Sequence, residues 1–161
     1  MKKESVDTLT VEPQRLTAVL GRNGAGKSTL LRCLARVLEP THGFIEDGRG
    51  AETLATRRAY LPQSQSVGFD LTVDEVIGLG RLPHGESLSH PTMMQRVEAW
   101  LTVLELAHTL GRPFATLSGG EQQRIHLARA LFQLYGREAQ PGAVPRFHDA
   151  QPWLLCDEPT S

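Results

Sequence analysis

The sequence predicts an α/β fold, and three observations predict it. A short apolar run at residues 16–20 leads into a glycine-rich loop that is followed by a helical period. A second apolar run, Trp153–Cys156, ends in two acidic residues. Between the two runs, two patterns open helices, each with a hydroxyl residue followed three positions later by glutamate. Short apolar runs that alternate with helical periods are typical of buried parallel strands.

The bulk composition limits the class of protein. The chain has 161 residues, enough for one compact domain, and a formal net charge of −1 with the two signs interspersed. We therefore expect no polyanion-binding surface and no nucleic-acid partner. No apolar run approaches the roughly 18 residues needed to span a bilayer, and the N-terminus lacks the apolar stretch of a signal peptide.

The cysteines and histidines carry no metal-site pattern. Cys33 and Cys156 lie in apolar surroundings, which predicts buried, reduced thiols. The six histidines are scattered without metal-ligand spacing, so we interpret them as structural or surface residues.

The N-terminal part is predicted to contain several strands and one helix. Residues 6–11 alternate apolar and polar side chains, as a half-buried strand does, and residues 16–20 predict a buried strand. Phe44 and Ile45 precede an Asp-Gly turn and are predicted as a strand, and residues 59–61 predict another. The helix between them is predicted from leucines that recur with a helical period until Pro40, namely Leu30, Leu31, Leu34 and Leu38.

The central part is predicted to be helical. Thr72 and Glu75 form a capping box that opens a helix through Leu79. Pro91 suits the first turn of a long helix, whose apolar face is predicted to carry Val97, Leu101 and Leu104. A further helix over residues 121–134 is predicted to turn its apolar side inward at Leu127, Ala128 and Leu131. Residues 136–152 are rich in proline and glycine and predict an insertion.

One loop fits the phosphate-binding pattern G-x-x-x-x-G-K-[ST]. It reads Gly21-Arg22-Asn23-Gly24-Ala25-Gly26-Lys27-Ser28-Thr29, between a predicted strand and a predicted helix. The glycines let backbone N–H groups wrap around phosphates, the lysine places a charge on the outer phosphates, and the Ser28 hydroxyl is suited to bind Mg²⁺. The alternative is a glycine-rich strand-to-helix turn with a chance lysine.

Two acids follow the last predicted strand. Asp157 at the carboxyl end of a buried strand can hold Mg²⁺, and the adjacent Glu158 can act as a general base on water. The alternative is a turn followed by a helix cap. Gln63 follows the strand at residues 59–61, and its side-chain oxygen could complete the metal shell or orient water. Taken alone, it would be interpreted as a surface residue.

A second glycine-containing motif precedes the helix at residues 121–134. It reads Leu117-Ser118-Gly119-Gly120-Glu121-Gln122-Gln123-Arg124. Ser118 and Glu121 form a capping box, which is the structural interpretation. The two glycines are not needed for a cap. They leave backbone N–H groups bare at a helix N-terminus, where a phosphate is favoured.

Together these motifs resemble the nucleotide-binding subunits of ABC transporters. In that family, residues 21–29 correspond to Walker A, Gln63 to the Q-loop, residues 117–124 to the signature and residues 153–158 to Walker B. The order and spacing also fit, and the likeness runs essentially end to end. The resemblance implies an α/β P-loop NTPase core of the ABC ATPase type, with a helical subdomain at about residues 70–115.

A finer likeness is to haemin-importer ATPases. It depends on residues 67–84 and on the insertion at residues 133–153. This resemblance implies an ATPase that uses ATP and Mg²⁺ to energise haemin uptake across the bacterial inner membrane; a siderophore or cobalamin importer is the alternative. It also implies a peripheral position on the cytoplasmic face, beneath permease subunits that a periplasmic binding protein supplies.

The resemblance further implies that the active unit is a head-to-tail homodimer with a second ATP-binding subunit. Ser118, Gly119, Gly120 and Glu121 would then act in trans, on the ATP held by the phosphate loop of the partner. The region between Gln63 and the signature, including the helix that starts at Val73, would contact the permease.

The chain departs from the family pattern at both ends. Residues 6–11 lack the aromatic residue that stacks on adenine in the family, and the sequence stops at Ser161, soon after Walker B. Arg22 stands where proline is common. We therefore expect a partial domain with little or no activity alone, which makes a nucleotide-binding fragment without turnover an alternative. A DNA-repair or chromosome-structure ATPase is another, although those usually insert a coiled coil or zinc module before the signature.

Overall fold

A computed structural model of the chain describes residues 8–12, 15–46, 54–63, 70–89, 92–136 and 152–157. Five α-helices and two β-strands are described in these ranges. The helices are α1 Lys27–Leu34, α2 Leu54–Arg57, α3 Val73–Gly78, α4 Met93–Val103 and α5 Gly119–Tyr135. The strands are β1 Arg58–Leu61 and β2 Trp153–Cys156. Short 3₁₀ helices cover Leu79–His84, Ala107–Thr109 and Phe114–Thr116. No helix within the described ranges is long and apolar enough to cross a membrane.

The two strands form a parallel pair, and both were predicted from the sequence. Tyr60 lies opposite Leu155 and Leu61 lies opposite Cys156. The pairing continues beyond the strand, because the Asp157 N–H donates to the Leu61 carbonyl oxygen at 2.9 Å. The backbone therefore fixes the position of Asp157 relative to β1.

The strands predicted at residues 16–20 and 44–45 are wrong: neither segment forms one. Leu16, Leu20 and Phe44 are 98%, 89% and 85% exposed. A strand is stable only when its N–H and C=O groups pair with a neighbour, and the sheet over the described residues contains β1 and β2 alone. An apolar run in the sequence was therefore not enough to form a strand at these positions. Residues 8–11 also lack regular structure, while the rest of the strand predicted at residues 6–11 lies outside the described residues.

Helix α1 is shorter than its leucine period predicted. It ends at Leu34, and the left-handed Arg36 (φ 59°) turns the chain. The Val37 N–H then donates back to the Arg32 carbonyl oxygen at 2.9 Å, which satisfies a helix C-terminus. Leu38 consequently lies outside the helix and is 41% exposed.

The helical predictions for the central part are largely confirmed. Thr72 and Glu75 form the capping box of α3, and Val97 and Leu101 are buried on α4. Leu104 caps the end of α4 and packs against the core, while Pro91 lies outside the described residues, as do residues 137–151 of the predicted insertion.

The apolar face predicted for α5 needs one correction. Leu127 is 36% exposed, so its assignment to the buried face is wrong. The buried positions follow the spacing of one helical face through Ile125, Ala128 and Phe132, and Leu127 lies off that stripe. Leu131 packs at the margin of the core, as predicted.

The hydrophobic core lies within the segment from residue 71 to residue 135. Its buried members come from α3, α4, α5 and the loops that join them: Val73, Val76, Ile77, Met93, Val97, Trp100, Leu101, Leu106, Phe114, Leu117, Ile125, Ala128 and Phe132. Helix α1, by contrast, has no buried residue.

A partly buried charged cluster closes the C-terminal end of α5. Arg81, which is fully buried, pairs with Glu86 at 2.6 Å, and Arg96 pairs with the other oxygen of Glu86 at 2.5 Å. The two guanidinium groups donate to carbonyl oxygens in the last turn of α5 and at Gly136, which a helix end otherwise leaves unsatisfied. Hydrogen bonds from Arg81 and Arg96 help hold the pKa of Glu86 at about 2 despite its partial burial.

Gln133 ties the same end of α5 to the sheet. Its side-chain amide donates to the Ala55 carbonyl oxygen at 2.6 Å and to the Arg58 carbonyl oxygen at 2.8 Å. Its own carbonyl oxygen accepts from Arg81, and His84 Nε2 lies 2.7 Å from it. One helical turn therefore connects the helical part of the molecule to β1.

Candidate nucleotide-binding site

The glycine-rich loop curls ahead of α1 through two left-handed glycines. Gly24 has φ 80° and Gly26, the residue before the helix, has φ 81°. Both values disfavour residues with a Cβ, so glycine is required by the backbone. The Ala25 N–H donates to the Arg22 carbonyl oxygen at 3.1 Å, which closes the turn. The loop from Gly21 to Ala25 is exposed and so is accessible to a ligand.

Lys27 folds back over this loop. Its ammonium group donates to the Gly21 carbonyl oxygen at 3.0 Å and to the Arg22 carbonyl oxygen at 3.1 Å. These contacts hold a positive charge beside the N-terminus of α1, where the helix dipole adds partial positive charge. The combination of a point charge, a helix N-terminus and bare backbone is suited to bind a phosphate.

Ser28 and Asp157 are in contact although they lie 129 positions apart in the chain. The Ser28 hydroxyl donates to Asp157 Oδ1 at 2.8 Å, and Asp157 is only 2% exposed. Helix α1 supplies the hydroxyl and the end of β2 supplies the carboxylate. The structure thus places together the two oxygen donors that the sequence predicted separately as metal-binding residues.

Tyr60 is a member of this site that the sequence reasoning missed. Its hydroxyl donates to Asp157 Oδ2 at 3.2 Å. Interaction with the Tyr60 side chain raises the pKa of Arg32 on α1. A single tyrosine in a short apolar strand gives no local signal of such a role, because its partner lies 97 positions away.

Of two further predicted site residues, one is exposed and the other lies outside the described residues. Gln63 lies two residues after the end of β1 and is exposed. Glu158 directly follows Asp157 in the sequence but lies outside the described residues, so its predicted role as general base stays a prediction.

The signature region forms the N-terminus of α5 and contains the predicted capping box. The Ser118 N–H and hydroxyl both donate to Glu121 Oε2, at 2.9 Å and 2.7 Å, and the Glu121 N–H lies 3.4 Å from the Ser118 hydroxyl oxygen. The hydrogen bonds from Ser118 lower the pKa of Glu121 to about 2. His108 and Arg112 approach the other oxygen of Glu121 at 3.5 Å and 3.7 Å.

Gly119 and Gly120 have space around them that nothing in the described chain fills. A Cβ built at either position meets no atom within 4 Å, and neither glycine has a positive φ. Alanine would therefore fit, and it would favour the helix by roughly 1 kcal/mol at an interior position. Contacts within the described residues therefore do not explain why positions 119 and 120 are glycine.

The chain matches known proteins over most of its length. A family model described as ABC transporter matches residues 5–135. The hemin import ATP-binding protein HmuV of Bordetella avium is 44% identical over 160 residues, which cover 96% of this chain and 58% of that protein. HmuV of Pseudomonas aeruginosa is 45% identical over 159 residues, 95% of this chain and 57% of that relative. The chain thus spans less than two thirds of the length of these curated relatives.

Two solved structures share the fold. A metal-chelate type ABC transporter in an inward-facing conformation superposes with a TM-score of 0.63 at 34% identity, covering 76% of this chain and 48% of that one. An ATP-binding subunit of an ABC transporter gives a TM-score of 0.58 at 28% identity, covering 71% and 49%. The predicted α/β P-loop ATPase fold is confirmed, and the chain belongs to the ABC transporter family.

Proposed function

We propose that the chain is the ATP-binding and ATP-hydrolysing motor subunit of an ABC importer that takes up hemin across the bacterial inner membrane. The observation that carries the nucleotide part is the contact between Ser28 and Asp157, at 2.8 Å, beside the loop on which Lys27 lies. The cargo part is supported by the curated relatives, which are named as hemin import ATP-binding proteins.

The substrate ATP would be held mainly by backbone groups of residues 21–29. The glycines allow N–H groups to face the phosphates, and Lys27 would exchange its loop carbonyl contacts for the outer phosphates. Glu158 is proposed to accept a proton from the attacking water, and the side-chain oxygen of Gln63 to orient that water. An exposed loop that is shaped before the ligand arrives requires little reorganisation.

The donor set fits Mg²⁺. A serine hydroxyl and a carboxylate are oxygen ligands of the kind that Mg²⁺ prefers. Because the Ser28 proton is directed at Asp157, the lone pairs of the serine oxygen stay available for a cation. Ser28, Asp157 and Gln63 are the residues we propose to hold it, and the cation would neutralise phosphate charge.

A second copy of the chain is the proposed partner at the signature. The open space over Gly119 and Gly120 would admit the ATP held by the other subunit in a head-to-tail homodimer. Ser118 would act with them on that phosphate, and Glu121 would hold the helix N-terminus in shape.

The permease contact is proposed for the helical subdomain at about residues 70–115. Leu82 and Leu88 in this region are 52% and 40% exposed, which supports an apolar contact surface close to α3. In this arrangement the chain would lie peripherally on the cytoplasmic face, and a periplasmic binding protein would act only indirectly. Residues 136–152 are proposed as an insertion within one ABC-type nucleotide-binding domain.

ATP binding tests the proposed site directly. Lys27→Ala should weaken ATP binding by about tenfold or more in calorimetry, because it removes a charged donor to the phosphates, whereas Lys3→Ala, the same change outside the motif, should leave it unchanged. Equal affinities for the two variants would contradict the assignment of residues 21–29.

Turnover and cargo need separate measurements. In a chimera in which residues 1–161 replace the matching segment of a hemin-importer ATP-binding subunit, Glu158→Gln should keep ATP binding and abolish phosphate release, which distinguishes a hydrolytic motor from a module that only binds nucleotide. The same chimera without Glu158→Gln, expressed in bacteria that lack the ATP-binding subunit of their hemin importer, tests the cargo. Growth on hemin as the iron source is the expected result, and growth restored only for a siderophore or cobalamin importer would overturn it.

A further inference from the structure

The Asp157 carboxylate has one hydroxyl donor on each oxygen. Ser28 donates to Oδ1 at 2.8 Å and Tyr60 donates to Oδ2 at 3.2 Å, and the whole residue is only 2% exposed. A buried carboxylate with both oxygens engaged is held against rotation about its terminal bond. Ser28 belongs to the phosphate loop motif, whereas Tyr60 belongs to none.

Tyr60 approaches Asp157 from a rigid element. It lies within β1, opposite Leu155 of β2, and the Asp157 N–H is bonded to the Leu61 carbonyl oxygen at 2.9 Å. The strand pairing therefore sets the separation between the phenol and the carboxylate. Side chains on paired strands hold a partner more accurately than side chains on loops.

We propose that Tyr60 is a positioning residue that orients the Asp157 carboxylate for a divalent cation. This inference builds on the proposed function. Mg²⁺ demands near-ideal octahedral geometry, so a carboxylate or a carboxylate-bound water that is free to turn would bind it less well. Without the phenol, Oδ2 loses this donor, and of the side chains that the structure describes Ser28 alone still holds the carboxylate.

The test compares two tyrosine variants that each lose one hydroxyl group. Tyr60→Phe should raise the Mg²⁺ concentration for half-maximal ATP binding by roughly fivefold, about the net worth of one hydrogen bond. Tyr135→Phe, on α5, should match the unaltered chain. Ca²⁺ accepts flexible geometry, so the Tyr60→Phe effect should shrink when Ca²⁺ replaces Mg²⁺. An unchanged Mg²⁺ requirement in Tyr60→Phe would overturn the proposal.

A measurement without metal or nucleotide keeps the two proposals distinguishable. In EDTA, urea unfolding of Tyr60→Phe, Asp157→Asn and the double variant should be non-additive, because both single changes disrupt the same contact. Additive shifts of the unfolding midpoint would overturn the positioning role. If the unaltered chain fails to bind ATP, the proposed function fails, while this cycle still decides whether Tyr60 holds Asp157.

Discussion

The helical part at residues 70–136 and the loop part at residues 15–46 differ in how their structure is held. The helical part has a continuous apolar core, two capping boxes and a charged cluster around the buried Arg81. The loop part exposes Leu16, Leu20 and Phe44 almost fully, and α1 has no buried residue. The candidate phosphate loop nevertheless lies in the second part.

This difference shows that the conformation of the phosphate loop does not depend on a core beneath it. The loop is shaped by left-handed glycines, by Lys27 folding onto backbone carbonyls and by the contact of Ser28 with Asp157. Such local and pairwise contacts can form a binding loop, whereas stability must come mainly from burial elsewhere. Substitutions in the two parts should therefore have very different effects on the free energy of unfolding.

The largest effect is expected at the charged cluster. Glu86→Ala leaves Arg81 buried without its carboxylate, and removal of one partner of a buried pair typically costs about 3–5 kcal/mol. Urea unfolding measures the loss. Glu98→Ala on the exposed side of α4 is the control and should change stability by less than about 0.5 kcal/mol. A similar small loss for Glu86→Ala would show that the cluster is not held as described.

A matched pair of leucine substitutions tests the comparison most directly. Leu101 is fully buried on α4 and Leu20 is 89% exposed. Leu101→Ala should cost about 2–5 kcal/mol because it opens a cavity, whereas Leu20→Ala should stay within about 0.5 kcal/mol. Both values come from urea denaturation curves. Equal losses would mean that residues 16–20 are buried in solution.

The helical part should also lose stability in mild acid. His126 is 5% exposed, its ring lies 5.0 Å from that of Phe114, and burial together with Arg129 lowers its pKa to about 4. The unfolded chain, with a histidine pKa of about 6.5, therefore binds more protons. The stability due to neutral His126 is complete above about pH 6.5 and is lost as the pH falls towards 4.

Unfolding free energies at pH 7 and pH 5 measure this loss, which we expect to be roughly 1–2 kcal/mol. His126→Phe should remove it, and His42→Phe, at an exposed position, should not. Glu86 and Glu121 have pKa values of about 2 and lose their contribution at lower pH, so they do not account for a change in this window. An unchanged pH dependence in His126→Phe would contradict the assignment.

The smallest effect is expected at the helix cap. Ser118→Ala removes the acceptor for the Glu121 N–H and the donor to its carboxylate, and should cost about 1 kcal/mol. Ser118→Gly should cost only a few tenths, because glycine is tolerated at this position. Thermal unfolding compares the two. A larger loss for glycine than for alanine would show that the cap does not act through its backbone conformation.

The sequence predicted features that depend on neighbouring residues. The phosphate loop, the capping boxes and the apolar strand before Asp157 are each encoded within about ten residues, and the structure contains them. The strand predicted at residues 16–20 was wrong because strand formation depends on a partner that the local pattern does not specify. Helix α1 ends earlier than predicted because Arg36 adopts the left-handed conformation, which is rare for arginine and which the leucine spacing does not indicate.

Long-range partners account for what the sequence did not predict. The role of Tyr60 depends on its register against β2, and the buried position of Arg81 depends on Glu86 and the end of α5. Because arginine is almost never fully buried unless it is paired, the residue type alone predicts a surface position for Arg81. Ser28 and Asp157 were predicted separately as Mg²⁺-binding residues, and their direct contact is a finding of the structure.

The anchoring of α5 at one end has a geometric consequence for its other end. The helix has 17 residues and is therefore about 25 Å long. A tilt of about 1° at Gly136 would displace Ser118 by about 0.4 Å, which is already comparable to the width of good hydrogen-bond distances. Hydrogen bonds of the Arg81, Arg96 and Gln133 side chains hold the C-terminal end of the helix. These few hydrogen bonds at the last turn therefore help determine the position of Gly119 and Gly120 at the first turn.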